Sequence, residues 1–305
     1  MTPPPDWLDP GGDYLVGISG GRDSIFLHHW LQEHGFQSLL YCHLNHGLRG
    51  AESDGDQSFL ENLLGDQLIS EKVNVQEISQ KQSLSIETAA RNARHQFFEQ
   101  CAAQTGRNQI ILAHHADDQA ETILFNLLRG SSGAKGMSSQ QTIASFTILR
   151  PMLGLRRSEI DTYLSSRSHP FREDSSNTLP FATRNRLRNE ALPLLSDILD
   201  RDPVPALIRA FEHTSELEVM ADQLFDQSLL LDPQGRLFLP KLRNLQPPLQ
   251  RRALFRYLKD HQIPEISASL IEQALAILPP DTPPALNLPG GLRLRRKESR
   301  LFISP

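Results

Sequence analysis

In the first half of the chain, short apolar runs alternate with longer stretches in which apolar residues recur every three or four positions. The runs Tyr14-Leu15-Val16-Gly17-Ile18, Leu39-Leu40-Tyr41-Cys42-His43-Leu44 and Gln109-Ile110-Ile111-Leu112-Ala113 read as strands, with a further extended piece near 71–78. Helices are expected over 24–34, stopped by Gly35, over about 53–64, over 86–104, closed by Gly106, and over 117–128, closed by Gly130. Strands and helices in this alternation predict an α/β fold with a doubly wound parallel sheet. Ligands of such sheets sit beyond the carboxyl ends of the strands, so the residues just after Ile18, Leu44 and Ala113 carry the interest.

Residues 131–145 are rich in small residues and read as a loop. Past Pro193 the pattern becomes helical, over roughly 203–228, 248–261 and 266–278. A turn at Pro289-Gly290-Gly291 then opens a hairpin of 292–295 with 300–303. The boundary is placed at Asp200-Arg201-Asp202-Pro203. It separates a catalytic domain, 1–202, from a second, smaller, mostly helical domain, 203–305, ending in a β-hairpin. No internal repeat is visible.

A chain of 305 residues can bury two cores, and 39% hydrophobic with 22% charged residues is ordinary composition. No apolar run is long enough to cross a bilayer, and Met1–Asp6 has neither the basic nor the apolar region of a secretory signal. The two cysteines, Cys42 and Cys101, are far apart without a pairing or CxxC spacing. That argues against a disulfide framework or a cysteine metal site and points to a reducing cytoplasm. The net charge of −5 conceals an asymmetry: Glu52–Glu77 holds seven acids against Lys72, whereas Lys241–Lys259 holds six bases and no acid. Arg293–Arg300 adds five bases against one acid. Such stripes either track phosphates or are ordinary solvated surface.

After the first strand comes Ser19-Gly20-Gly21-Arg22-Asp23-Ser24, then a helix. Two glycines let the backbone approach an anion, the N–H groups of the helix start face it, and Ser19 and Ser24 add hydroxyl donors. The loop lacks the Lys-Ser/Thr ending of a Walker motif. Asp23 beside a polyphosphate makes sense if Mg²⁺ bridges the two. The loop resembles the PP-loop of the N-type ATP pyrophosphatases, which implies ATP split between its α- and β-phosphates.

Three further constellations follow. His43-Leu44-Asn45-His46-Gly47-Leu48-Arg49 ends the second strand. Glu87, Arg91 and Arg94 share one helix face, reading either as a surface salt-bridge stripe or as phosphate clamps. In His114-His115-Ala116-Asp117-Asp118-Gln119-Ala120-Glu121-Thr122, the residues His114, Asp118 and Glu121 share a face if the helix reaches back to His114. Aspartates suit a helix start on dipole grounds alone, but that leaves the paired histidines and Glu121 unexplained. The spacing is not that of a zinc helix. With Arg150-Pro151-Met152-Leu153 and Arg172-Glu173-Asp174-Ser175-Ser176-Asn177 followed by Arg184-Asn185-Arg186-Leu187-Arg188, these segments closely resemble the tRNA(Ile)-lysidine synthetases. The resemblance is strong over roughly 13–195 and looser beyond.

The resemblance implies an ATP-dependent ligase that joins free lysine to C2 of the wobble cytidine in the CAU-anticodon isoleucine tRNA, releasing AMP and pyrophosphate. It assigns Ser19, Gly20, Gly21, Arg22, Asp23, Ser24 and His46 to the nucleotide and Asp23 and Asp118 to Mg²⁺. Asp23, His114, Asp118, Glu121, Arg91 and Arg94 become the catalytic set, with Asp118 and His114 as the base toward lysine. Arg150, Arg184, Arg186, Arg188 and the Lys241–Lys259 stripe would meet the tRNA backbone, and a homodimer is the assembly the family allows. A PP-loop tRNA thiolase would need reactive cysteines. A small-molecule synthetase or an idle binding module leaves His43–Arg49 and the intact carboxylates without a role.

Overall fold

The computed structural model describes residues 2–143, 145–172 and 183–305. Two compact units result, one built from residues up to Arg129 with Gly136–Ile208, the other from Gly130–Lys135 with Arg209–Pro305.

The first unit runs β1 (Tyr14–Gly17), α1 (Arg22–Glu33), β2 (Leu39–Asn45), α2 (Ala51–Leu64), β3 (Leu68–Lys72), α3 (Val75–Gln82), α4 (Ile86–Thr105), β4 (Gln109–Ile111) and α5 (Ala116–Leu128). It continues through β5 (Gln140–Ile143), β6 (Phe146–Leu149), α6 (Arg157–Arg167) and α7 (Thr183–Arg186). A π-helical turn over Leu187–Ala191 then leads into α8 (Leu192–Leu199). The sheet has the order β3-β2-β1-β4-β6-β5, parallel throughout except for the antiparallel edge β5. The chain leaves β1 toward β2 and β3, then returns to β4 on the other side of β1. The strand order therefore reverses between β1 and β4, and a crevice opens beyond their carboxyl ends.

Alternation along β1 sorts the two cores. Tyr14 and Val16 join Phe26 and Trp30 of α1 and Tyr163 of α6, while Leu15 faces Phe97, Phe98 and Cys101 of α4. Helices on both faces bury these strands completely, which is why they read as continuous apolar runs. Trp30 is 1% exposed and donates its indole N–H to the Thr2 carbonyl at 3.0 Å. At the crevice floor, a Cβ on Gly17 would lie 2.5 Å from Leu112, so only glycine lets β1 approach β4 there. Ser85 caps α4 through the Thr88 N–H and Gly106 ends it with φ 72°.

The doubly wound sheet is as expected; several details differ. The extended piece expected near 71–78 is split, with β3 ending at Lys72 and α3 starting at Val75. The loop expected over 131–145 contains edge strand β5. Cys42 and Cys101, distant in sequence, meet between β2 and α4 as buried free thiols, and the contact with Cys101 together with burial pushes the Cys42 thiol up.

The second unit carries most of α9 (Val204–Gln227), then β7 (Leu237–Phe238), α10 (Leu239–Arg243), α11 (Pro247–Asp260), α12 (Ala268–Ala276), β8 (Ala285–Asn287), β9 (Arg293–Lys297) and β10 (Arg300–Ser304). The expected hairpin is the central pair of a four-stranded antiparallel sheet, β7-β10-β9-β8, whose outer strands are too short to show a period in sequence. Leu237, Leu254, Leu258, Leu294 and Leu301 are fully buried in its core. The Lys241–Lys259 stripe is largely consumed internally. Arg252 pairs with Asp222 at 2.7 Å, Arg256 with Asp226 at 2.9 Å, Arg251 with Glu272 at 2.6 Å, and Arg243 donates to the Leu278 carbonyl at 2.7 Å. Those arginines tie helices together rather than presenting a free phosphate-tracking face. Among the described residues, no helix is long and apolar enough to cross a membrane.

Candidate active site

A cleft of about 640 Å³ opens at the reversal between β1 and β4, lined by the Ser19–Ser24 loop, the end of β2 and the start of α5. The loop is internally braced. Ser24 donates its hydroxyl to the Gly21 carbonyl at 2.9 Å, and the Ser19 N–H donates to Ser24 Oγ at 3.2 Å. Gly20 sits at φ +79°, a conformation other residues adopt only with strain. Gly21 is the N-cap of α1, so the first N–H groups of that helix end in the cleft.

Helix α5 begins at Ala116 with His115 as N-cap, so His114 lies before the helix and does not share a face with Asp118 and Glu121. The residue the sequence reading left unassigned, His115, is the pivot. Its Nε2 lies 3.7 Å from Asp23 and 3.4 Å from Asp118. Burial would lower its pKa, but Asp117, Asp23 and Asp118 outweigh burial and lift it to about 9. In the imidazolium form Nδ1–H faces the Asp117 carboxylate 3.6 Å away; in the neutral form Nδ1 accepts the Asp117 N–H at 3.2 Å. Burial raises the Asp23 carboxyl, yet His115, Arg157 and Arg188 outweigh it and hold the group below its ordinary value.

Arg188 is also placed differently from an RNA-backbone contact. The π turn carries it inward, where it donates Nε to Glu121 at 3.0 Å and a terminal nitrogen to Asp118. π turns that interrupt helices are frequent at functional sites. Glu121 is 5% exposed and burial raises its carboxyl above the ordinary range despite Arg188. Asp117 serves the frame, accepting from Arg156 and the Arg157 N–H.

A second group in the site is basic. Burial first, then Arg150, Arg94, His115 and Arg91, drive His114 down to about 3, and burial with Arg94 and His43 brings His46 to about 4. Both imidazoles are therefore neutral at pH 7. Arg91 is exposed and Arg94 half-buried; burial and the Arg91 and Arg184 guanidiniums lower Arg94. Arg150 is 5% exposed and donates to the Ser138 carbonyl at 2.8 Å and to Gln141 at 2.9 Å, so it braces β5 and β6 rather than meeting RNA. Arg184 lies 3.6 Å from Glu87 and over the Phe125 ring, and Arg186 is paired with Glu190 at 2.9 Å. Of the segment begun by Arg172, Glu173 to Asn177 lie outside the described residues.

A PP-loop domain model matches residues 8–195. The chain belongs to the PP-loop domain family. Residues 237–302 match a TilS substrate binding domain model. Among curated proteins, the chain is 37% identical over 310 residues to the tRNA(Ile)-lysidine synthase of Thermus thermophilus, covering 98% of this chain and 58% of that protein. For the tRNA(Ile)-lysidine synthases of Geobacter sulfurreducens and Bacillus subtilis the identities are 39% and 33%, covering 72% and 93% of this chain and 48% and 64% of those proteins. The chain thus spans about half to two thirds of the length of these relatives. Among solved structures, the U34-tRNA thiolase NcsA from Methanococcus maripaludis superposes with a TM-score of 0.55 at 16% identity, over 69% of this chain and 75% of that one, which shows the shared fold.

Proposed function

We propose that this PP-loop chain uses ATP to join the ε-amine of lysine to C2 of the wobble cytidine in the CAU-anticodon isoleucine tRNA. The observation that carries the reading is the meeting, in one cleft, of the PP-loop with Asp118 and Arg188, which is backed by the buried Glu121, and with His114 and Arg94. The names of relatives at 33–39% identity and the substrate-binding match over 237–302 support it.

The cytidine O2 attacks the ATP α-phosphate, forming an O–P bond while pyrophosphate departs into the cradle of Ser19–Ser24. Arg91 and Arg94 offset the negative charge that develops. The lysine amine then attacks C2, and AMP leaves with the C–O electron pair. Lysine's ε-amine titrates at about 10.4, so it arrives as an ammonium and must lose a proton. His114, at about 3, is too weak a base for that. Glu121, raised by burial, is the better acceptor, with Asp118 holding the ammonium. Neutral His114 and His46 remain as uncharged hydrogen-bonding walls.

Asp23 Oδ1 is buried without a hydrogen-bond partner and suits Mg²⁺, a hard cation that would neutralise polyphosphate charge when bound. Asp118 is less suited, because its oxygens already take the His115 N–H and Arg188. Among the described residues, no three metal-ligating groups cluster. A thiolase reading has less support, since both cysteines are buried in the apolar core.

The test is incorporation of labelled lysine into CAU-anticodon isoleucine tRNA, alongside tRNA-dependent ATP–pyrophosphate exchange. Exchange without lysine incorporation would keep the adenylating activity and discard lysine as the acceptor.

A further inference from the structure

Helix α5 continues the site outward as a stripe. Glu121, Phe125 and Arg129 recur at i, i+4 and i+8 and share one helix face. Glu121, 5% exposed, lies at the inner end beside Arg188, and Arg129 caps the outer end as an exposed residue. Between them Phe125 is half-buried, one helical turn, about 6 Å, beyond Glu121. The chemistry above makes no use of it.

Two guanidiniums lie over the Phe125 ring, that of Arg129 at 5.2 Å and that of Arg184 at 5.3 Å from its centroid. Phe255 also has two cations over its ring, Arg252 and Lys135, but these are paired with Asp222 at 2.7 Å and Glu218 at 3.8 Å. At Phe125 the charge is not consumed in this way. Among the described residues Arg129 forms no ion pair, and Arg184 meets the exposed Glu87 at 3.6 Å, beyond hydrogen-bond range. The group is also continuous with the cleft. Burial lowers Arg94, which lines the cleft, and the Arg91 and Arg184 guanidiniums add to it; burial raises Glu121, and Arg188 and then Arg184 oppose it. Leu128, three residues beyond Phe125, is 70% exposed and leaves apolar surface uncovered beside the ring.

We infer that Phe125, flanked by Arg129 and Arg184, is a stacking platform for an unpaired base of the tRNA anticodon loop, next to the cytosine that enters the cleft. The inference rests on the tRNA reading proposed above. A base reacts only when taken out of its stack, and its neighbours in the loop then lose a stacking partner as well. Single-stranded RNA is held by giving such bases an aromatic face or a guanidinium plane in return. A half-exposed ring supplies the first. The two arginines supply the second, together with positive charge for the flanking phosphates.

The test is filter binding of the full chain to CAU-anticodon isoleucine tRNA and to a series in which single anticodon-loop nucleotides are abasic. Phe125→Leu, which keeps an apolar side chain and removes the π-face, should weaken the intact tRNA about tenfold with the salt slope unchanged. Phe125→Tyr should bind as wild type does. One abasic position should cost wild type the same factor and cost Phe125→Leu nothing further, which marks the base that meets this ring. Arg129→Ala, an exposed change, should lower the log–log salt slope by about one. A Phe125→Leu defect of equal size on every abasic tRNA overturns the platform, because the ring then acts through the fold. Undiminished binding by Phe125→Leu, or an unchanged slope for Arg129→Ala, overturns it and leaves the tRNA reading intact. A wild-type chain that does not bind the tRNA removes the reading and the platform together.

Discussion

Arg188→Ala removes the cation that lies between Asp118 and Glu121 and leaves two partly or fully buried carboxylates facing each other. Breaking a buried pair by deleting one partner costs roughly 3–5 kcal/mol. Arg188 is 27% exposed, so solvent screens part of this, and the lower end, about 3 kcal/mol, applies. In a unit of this size each kcal/mol moves Tm by roughly 2–4 °C, giving a drop of roughly 6–12 °C at pH 7. The pH dependence is specific. Burial already raises Glu121 and Arg188 opposes it, so the variant's Glu121 titrates higher still. A carboxyl raised in the fold loses stability as pH climbs from its unfolded value to its folded one, so the deficit should shrink from pH 8 to pH 5. Glu121→Gln placed in the Arg188→Ala background should recover much of the loss at pH 7. Melts of the four proteins of this double-mutant cycle measure the coupling. A variant within 2 °C of wild type at pH 7, or a cycle with no coupling, would refute the buried-cluster argument.

Gly20→Ala forces a side chain into φ +79°, which costs about 1–2 kcal/mol, while the nearest side-chain atom, on Phe59, stands at an ordinary 3.5 Å. Pyrophosphate affinity should fall by about tenfold, measured by calorimetry, with Tm lowered by only a few degrees. On β9, Arg293, Arg295 and Lys297 are exposed on one sheet face, so Arg293→Ala/Arg295→Ala/Lys297→Ala should flatten the salt dependence of tRNA binding by about two to three in log–log slope, read by filter binding. An unchanged slope would place the RNA elsewhere. His28, 4% exposed, is held at about 4 by burial and by His29 and His169. Because that value is depressed, neutral His28 is favoured above pH 6.5, and stability falls as pH drops toward 4. At pH 5 the loss is about 2 kcal/mol, and His28→Gln should flatten the stability profile between pH 7 and pH 5 in urea titrations.

The alternation of strands and helices was legible because both faces of the sheet are covered, which makes β1, β2 and β4 continuous apolar runs bounded by glycines. Strand β5 was not legible, since Gln140, Gln141 and Thr142 lie on an exposed edge and show no apolar face. Val73 and Val75 flank a polar residue as in a strand, yet the chain turns into α3 at Asn74, whose side chain caps the helix by accepting from the Glu77 N–H. The PP-loop could be read directly because its chemistry is local to six residues. His114 and His115 could not be told apart, since a one-residue difference in where α5 begins decides which imidazole meets Asp23. Arg188 and the Lys241–Lys259 arginines looked alike as bases in sequence. Their carboxylate partners lie on distant segments, and nothing local announces Glu121 or Asp222.

The burial of Trp30 has an experimental consequence. The chain has only two tryptophans, Trp7 and Trp30, and both lie in the first unit. Trp7 is 39% exposed and Trp30 is 1% exposed, so the larger part of the emission shift on denaturation arises from Trp30 leaving its apolar shell. Intrinsic fluorescence is therefore a native optical probe of the first unit alone, while far-ultraviolet dichroism averages over the helices of both units. Recorded on one sample, the two traces show whether the PP-loop unit and the second unit melt as one cooperative body or as two.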